Sequence, residues 1–321
     1  MRVCLVGSGV IGTIYGSTLS RAGTEVVHFV LPGANTPLAR GATVRLLDGR
    51  HEPADEHDFS YRPKLVTELA DAGPIDLVLA SVRHYQVATL LPVLRDAPGA
   101  PDVLFFNNYW RTLDGIDAVL PRARYLWGFP VAGGGWEGDR LEAALLSDVH
   151  LGELDGNNAA RAHRIAAMFD GAGLTANLQS DMLGWLWSHF AVEAGVIGTV
   201  ISVGDVDTFL DSTEHLERAV LAVREALNVV RARGVDVDVF PDAASFFAPE
   251  GLVAEGIRAE YQTNLPARKI MQRHTGAEEL RRIFHDVLDT GRALGVETPH
   301  LDALIPAVDA WNGVSSRAAV S

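Results

Sequence analysis

Val3-Cys4-Leu5-Val6-Gly7-Ser8-Gly9-Val10-Ile11-Gly12 is the stretch whose reading decides the fold. Its four apolar residues have the length and composition of a strand buried on both faces, and a helical pattern follows to about Arg21. Between the two stands G-x-G-x-x-G. Gly7 permits a tight turn off the strand, Gly9 lets the backbone approach a pyrophosphate, and Gly12 lets the helix pack closely on the sheet. The helix then opens on Val10 and Ile11 with its N-terminus facing the anion. Strand, spacing and helix together turn a weak pattern into an expected dinucleotide site; a Rossmann-shaped domain that binds none is the bland alternative.

The pattern continues outward from this turn. Strands are expected at 2–6, 25–31, 43–47, 76–81, 102–106 and 124–129, with helices at 10–22, 84–95 and 112–119 between several of them. Such alternation predicts a doubly wound parallel sheet, α/β in class, whose strand ends line the ligand crevice. After Asn157 come one more helix and a short strand near Leu174 to Leu178, then helices alone: about 181–203, 213–234, 242–247, 252–260, 276–294 and 300–311. We therefore expect a dinucleotide-binding Rossmann domain at 1–179 and an all-helical substrate or dimerisation domain at 180–321. Gly133-Gly134-Gly135 reads as a flexible connection, and the residues from Ser315 onward as a frayed end.

The chain has 321 residues, enough for two cores, and a formal net charge of −14. A field of that sign repels nucleic acid and anionic membrane, so the expected partner is a small-molecule substrate. Cys4 is the single cysteine and falls inside the first strand, which predicts a buried thiol and suits a reducing cytoplasm. No run of 18 or more apolar residues and no basic leader precede or interrupt the pattern, so neither membrane insertion nor secretion is expected. His274, His285 and His300 lack a spacing that would gather metal ligands, and no metal is expected.

Five places spread along the chain resemble one family, the ketopantoate reductases (2-dehydropantoate 2-reductases). The glycine turn is the first, and Ala80-Ser81-Val82-Arg83 the second, with Arg83 where the family usually has lysine. The third is Leu104-Phe105-Phe106-Asn107-Asn108 followed by Thr112-Leu113-Asp114; Asn108 is the better match for the family's asparagine. The fourth is Leu186-Trp187-Ser188-His189-Phe190-Ala191-Val192-Glu193, and the fifth Glu278-Glu279-Leu280 with Gly295-Val296-Glu297-Thr298-Pro299. The resemblance implies an NAD(P)-dependent oxidoreductase with a helical domain of the 6-phosphogluconate dehydrogenase C-terminal type.

In that family a lysine protonates the ketone oxygen and asparagines hold the substrate. Here His189 stands at the lysine position and Glu193 at the asparagine four residues on, while the family's serine falls on Ala267 or Arg268. Only Lys64 and Lys269 are lysines, so Lys269 in the helical domain is the remaining stand-in for the acid. Glu279 matches the family's substrate-contacting glutamate. The departures imply hydride transfer to a ketone or related C=X group of a small metabolite other than ketopantoate.

Histidine can take over the acid's task, because its proton affinity lies near working pH. His189 and Glu193 are four apart and share a helix face, and a carboxylate beside an imidazole favours its protonated form. A satisfied polar pair is the competing reading. Trp185 and Trp187 read as core or interface packing. For the cofactor, Arg83 and Asn108 are expected contacts, with a solvated arginine and a plain turn residue as alternatives. His28-Phe29-Val30-Leu31-Pro32-Gly33, at the end of the second strand, has no carboxylate to repel a 2′-phosphate and no arginine to bind it. Arg40 is the candidate replacement, and NADP(H) is slightly favoured over NAD(H). A homodimer is compatible with such a helical domain. Two other readings stay open: a non-redox enzyme or metabolite- or dinucleotide-binding protein reusing the same ligand site, and a hydroxyisobutyrate-type dehydrogenase, which would also expect a lysine on its central helix.

Overall fold

The structure, a computed structural model, describes residues 1–154, 159–274 and 276–313. It divides into two compact units, Met1–Met182 and Leu183–Ser321. The frayed end expected from Ser315 lies outside the described residues.

The first unit is built on one sheet. Strands β1 (Arg2–Val6), β2 (Glu25–Phe29), β3 (Ala42–Asp48), β4 (Asp55–Tyr61), β5 (Lys64–Val66), β6 (Leu77–Ala80), β7 (Asp102–Phe106), β8 (Tyr125–Glu137) and β9 (Arg140–Gly152) run in the order β4-β3-β9-β8-β7-β6-β1-β2-β5, and β10 (Thr175–Leu178) pairs with β9. The stretch β5-β2-β1-β6-β7-β8 is parallel throughout, the Rossmann order with its switch point between β1 and β6. Beyond it the sheet departs from the purely parallel expectation, since β8–β9 and β3–β4 are antiparallel.

Helix α1 (Val10–Arg21) follows β1 and is buried continuously from Gly12 to Leu19, because strands meet it from more than one direction. A Cβ placed at Gly16 would stand 2.5 Å from His28 Nε2 of β2 and 2.8 Å from Tyr61 Oη of β4. Tyr15 packs edge-on to Phe106 at 4.7 Å, and its hydroxyl accepts the Val131 amide at 3.1 Å. Helices α2 (Val87–Arg95), α3 (Asp114–Asp117) and α4 (Ala159–Gly171) complete the unit. The helix expected over 84–95 begins as a separate 3₁₀ turn at His84–Gln86, and the one over 112–119 is a single turn.

The glycine run is not a connection. Gly133, Gly134 and Gly135 lie inside β8 and pair with Ala144, Ala143 and Glu142 of β9. A Cβ at Gly134 would fall 2.2 Å from the Glu142 carbonyl oxygen, so glycine is there to let two strands approach closely. The strand expected at 124–129 therefore continues to Glu137, past an irregularity between Pro130 and Ala132.

The second unit contains helices α5 (Met182–Val203), α6 (Val206–Asp211), α7 (Thr213–Ala232), α8 (Pro241–Ala244), α9 (Glu250–Thr263), α10 (Leu265–Arg273), α11 (Ala277–Leu294), α12 (Pro299–Asp302) and α13 (Ile305–Ala310). At Gly195 of α5 a Cβ would come within 2.7 Å of the Val223 backbone nitrogen of α7, so the two helices cross in direct contact. By length and composition α5 could cross a membrane, with a mean hydropathy of 1.4 over 18 residues; 56% of that window is buried within the protein. Helix α11 ends on Gly295 in the left-handed region, and Glu225 of α7 accepts the His300 and Leu301 amides at the start of α12. The expected helix at 300–311 is thus two short ones.

Candidate functional site

The glycine turn is assembled by contacts that leave little choice of residue. Gly7 has φ +115°, and a Cβ on it would stand 2.8 Å from Ser81 Oγ. A Cβ on Gly12 would lie 1.9 Å from the Gly7 carbonyl oxygen, so helix and turn touch backbone to backbone. Around Gly9, by contrast, a Cβ would meet nothing within 4 Å. The open side of the turn is the side a dinucleotide needs.

Gly9 also opens α1, and no side chain caps that end. The first bond along the helix runs from the Thr13 amide to the Gly9 carbonyl at 3.0 Å. Val10 and Ile11, in the first turn, have amides that precede the intrahelical ladder, and no acidic side chain stands in that turn. An N-terminus of this kind attracts a phosphate through both its donors and its dipole. The residues present fit a pyrophosphate.

Ser81, quoted in the second of the five places, carries a role that motif reading did not give it. It follows β6 directly, its amide donates to the Val6 carbonyl at 2.9 Å, and its hydroxyl lies 3.4 Å from Val6 O and 3.5 Å from Gly7 O. It seats the turn from beneath. Next to it, Arg83 is exposed, its guanidinium donating to Tyr85 Oη at 2.9 Å. At the end of β7, Asn107 and Asn108 are both buried, 6% and 8% exposed. Asn107 donates to the Val82 carbonyl at 2.5 Å and accepts the Trp127 indole N–H on its own carbonyl at 3.0 Å, while its Oδ1 is buried with no protein partner. A buried acceptor without a donor is costly, which marks Asn107 beside Asn108 as a ligand-facing candidate. Arg40 is elsewhere engaged: it forms an exposed ion pair with Asp139 of the β8–β9 turn.

In the helical unit His189 and Glu193 lie one turn apart on α5, both half-buried. The His189 ring stacks on Trp185, one turn earlier, with centroids 5.2 Å apart and planes inclined by 9°. Trp185 is buried, as core packing predicts, and Trp187 carries the Arg233 guanidinium 3.4 Å above its ring. Burial pulls the Arg233 guanidinium down to about 10 against the pull of Asp286. Glu193 lines a shallow crevice, with room for little more than a water molecule, together with Ile197 and Ile201 of α5 and Leu280 and Phe284 of α11. Burial, and after it the carboxylates of Glu260 and Glu193, push the Tyr261 phenol above its ordinary range. Glu193 and Tyr261 therefore share a neighbourhood that spacing along the chain could not announce.

Glu278 and Glu279, adjacent on α11, are placed differently. Glu278 pairs with Arg281 and Arg282 on the outer face of α11, whereas Glu279 turns back until its Oε2 is 3.4 Å from where a Gly276 Cβ would be, beside His274. Lys269 is half-buried on α10, between residues tied to α6: Arg268 and Gln272 both donate to Asp207. His285 and His300 are used in pairs with Asp309 and Glu225. Among the described residues no group of three or more potential metal ligands occurs.

Residues 3–156 match the sequence model of the ketopantoate reductase PanE/ApbA family. A 2-dehydropantoate 2-reductase of Pyrococcus horikoshii is 22% identical over 255 residues, covering 75% of this chain and 77% of that protein. One from Listeria monocytogenes is 22% identical over 160 residues, 48% of this chain and 52% of that protein. Among solved structures, D-mandelate dehydrogenase with NADH and anilino(oxo)acetate superposes with a TM-score of 0.74 at 16% identity, covering 97% of this chain and 98% of that one. A 2-dehydropantoate 2-reductase from Geobacter metallireducens superposes with a TM-score of 0.73 at 18% identity, covering 96% and 99%. A dimeric ketopantoate reductase from Staphylococcus aureus gives a TM-score of 0.62 at 16% identity, covering 96% and 98%. With residues 3–156 matched by the family's sequence model and the fold shared with solved 2-dehydropantoate 2-reductases, the chain is similar to the ketopantoate reductase family.

Proposed function

We propose that this protein is an NAD(P)H-dependent oxidoreductase that reduces a ketone or related C=X group of a small metabolite other than ketopantoate. The observation that carries the proposal is the glycine turn, closed by contact at Gly7 and Gly12 and open at Gly9. Gly7, Gly9, Val10, Ile11 and Gly12 would hold the pyrophosphate, with Arg83 and Asn108 as further contacts. NADP(H) is preferred slightly over NAD(H). Arg40 would serve a 2′-phosphate only by leaving Asp139. When bound, the cofactor supplies a hydride to the acceptor carbon.

The chain's own residues complete the reduction. His189 gives the proton that neutralises the acceptor oxygen, and Glu193 orients the imidazole and balances its charge. Glu279 and Asn108 position the substrate, and Lys269 is the alternative donor. A homodimer is the proposed assembly, supported by the dimeric neighbour. The test follows NADPH and NADH oxidation with a panel of 2-oxo acids, ketones and imines. Replacing a general acid costs about 10²–10⁴-fold, so His189→Gln should lose that much in kcat while binding cofactor normally. Wild-type rates in the variant would remove His189 from the role, and Lys269→Met then tests the stand-in. Tight cofactor binding with no turnover on any acceptor would favour the non-redox reading instead.

A further inference from the structure

We infer that Trp185 is a positioning residue that holds the His189 imidazole in its working orientation, an inference that rests on His189 being the proton donor. Helical geometry brings the side chains of residues four apart together, and the two rings lie almost parallel, 9° between planes and 5.2 Å between centroids. Trp185 is 8% exposed and cannot swing away without opening the packing around α5. An imidazole flat on an immobile indole has one plane left to it. Both ring nitrogens then point along that plane, away from the indole, and a proton leaves from a fixed place. The indole face also carries negative potential, so the ring is attracted most strongly when it holds the positive charge that precedes proton donation.

This arrangement accounts for how a histidine could serve at a position where the resemblance implies a lysine. A lysine reaches its target by extension, whereas a histidine has two rotatable bonds and depends on its ring plane. Replacing Trp185 by another aromatic keeps a platform; replacing it by an aliphatic of similar volume keeps packing and removes the platform.

The experiment uses the full-length protein, Trp185→Phe, Trp185→Leu and His189→Gln. Histidine labelled with ¹³C at Cε1 reports the His189 Cε1–H resonance, assigned by its loss in His189→Gln. NADPH oxidation with phenylglyoxylate as the 2-oxo acid probe reports turnover. The inference predicts an upfield ring-current shift in the wild type that persists in Trp185→Phe and vanishes in Trp185→Leu. It also predicts that Trp185→Leu loses about tenfold in kcat with KM for NADPH unchanged, the size of a cation–π contact, while Trp185→Phe stays within about threefold. A wild-type His189 resonance without an upfield shift overturns the inference whether or not phenylglyoxylate is reduced. So does full activity in Trp185→Leu when His189→Gln is inactive, an outcome that leaves His189 as the donor. Full activity in His189→Gln would instead bring down the proposed donor, and the platform with it.

Discussion

At the scale of single residues, Gly9 and Gly12 separate what the fold needs from what a ligand needs. A methyl at Gly12 would meet the Gly7 carbonyl oxygen at 1.9 Å, backbone against backbone, with nothing flexible to yield. Gly12→Ala should therefore destabilise the protein by about 1–3 kcal/mol or more in urea unfolding, as overpacking does. Gly9→Ala meets open space and should leave stability within about 0.5 kcal/mol while weakening cofactor binding. His28 gives a second residue-scale prediction. Buried under α1 with its Nε2 2.9 Å from Tyr61 Oη, it is driven by burial down to about 4. An unfolded histidine binds a proton near pH ~6.5, so the unfolded chain gains a proton first and stability falls as pH drops from there toward 4. Against His28→Gln, the wild type should lose about 2–3 kcal/mol more between pH 7 and pH 4.5; identical pH dependences would show that His28 is not held neutral. The glycine turn was legible because its constraint is local: three glycines, one strand and one helix define it. Ser81, Asn107 and Tyr261 were not, because each owes its place to a residue distant in the chain. The backward turn of Glu279 toward Gly276 depends on the conformation at the start of α11, which charge patterning along the helix does not encode.

At the scale of elements, buried strands and strongly amphipathic helices were readable and edge elements were not. Strand β6, Leu-Val-Leu-Ala, is apolar on both faces because it is covered on both. Strand β4, Asp-Glu-His-Asp-Phe-Ser-Tyr, lies at the sheet's margin with most side chains exposed, and its sequence is indistinguishable from a polar loop. Helix α6 is six residues long, too short for its buried Val206, Phe209 and Leu210 to repeat a pattern, and α10 buries only Pro266. The glycine run in β8 misled for a physical reason: glycine denotes freedom in a loop and close approach in a sheet, and only the partner strand distinguishes the two. Gly134→Val is expected to test the second meaning. With a carbonyl 2.2 Å from its Cβ position, the variant should break the β8–β9 pairing and cost about 1–3 kcal/mol in thermal unfolding; a neutral effect would mean the strands can part there without loss.

At the scale of the whole molecule, the chain combines a fold shared with solved 2-dehydropantoate 2-reductases with His189 and Glu193 on the helix where the resemblance implies lysine and asparagine. Fold and chemistry are separable in this way because the sheet and helices answer to packing, whereas a substrate site answers to a few side chains grafted on them. The N-terminal unit keeps a glycine turn and an uncapped helix N-terminus that fit a pyrophosphate, and the net charge of −14 leaves a phosphate-bearing ligand dependent on those local donors rather than on long-range attraction. The central claim is that this turn still binds a cofactor. Calorimetric titration of the wild type and of Gly9→Asp with NADPH and NADH tests it most directly. The account predicts binding to the wild type with Kd on the order of micromolar, somewhat tighter for NADPH, and its loss in the variant, whose carboxylate would occupy the open side of the turn. Failure of both cofactors to bind the wild type, or equal binding to Gly9→Asp, would contradict it.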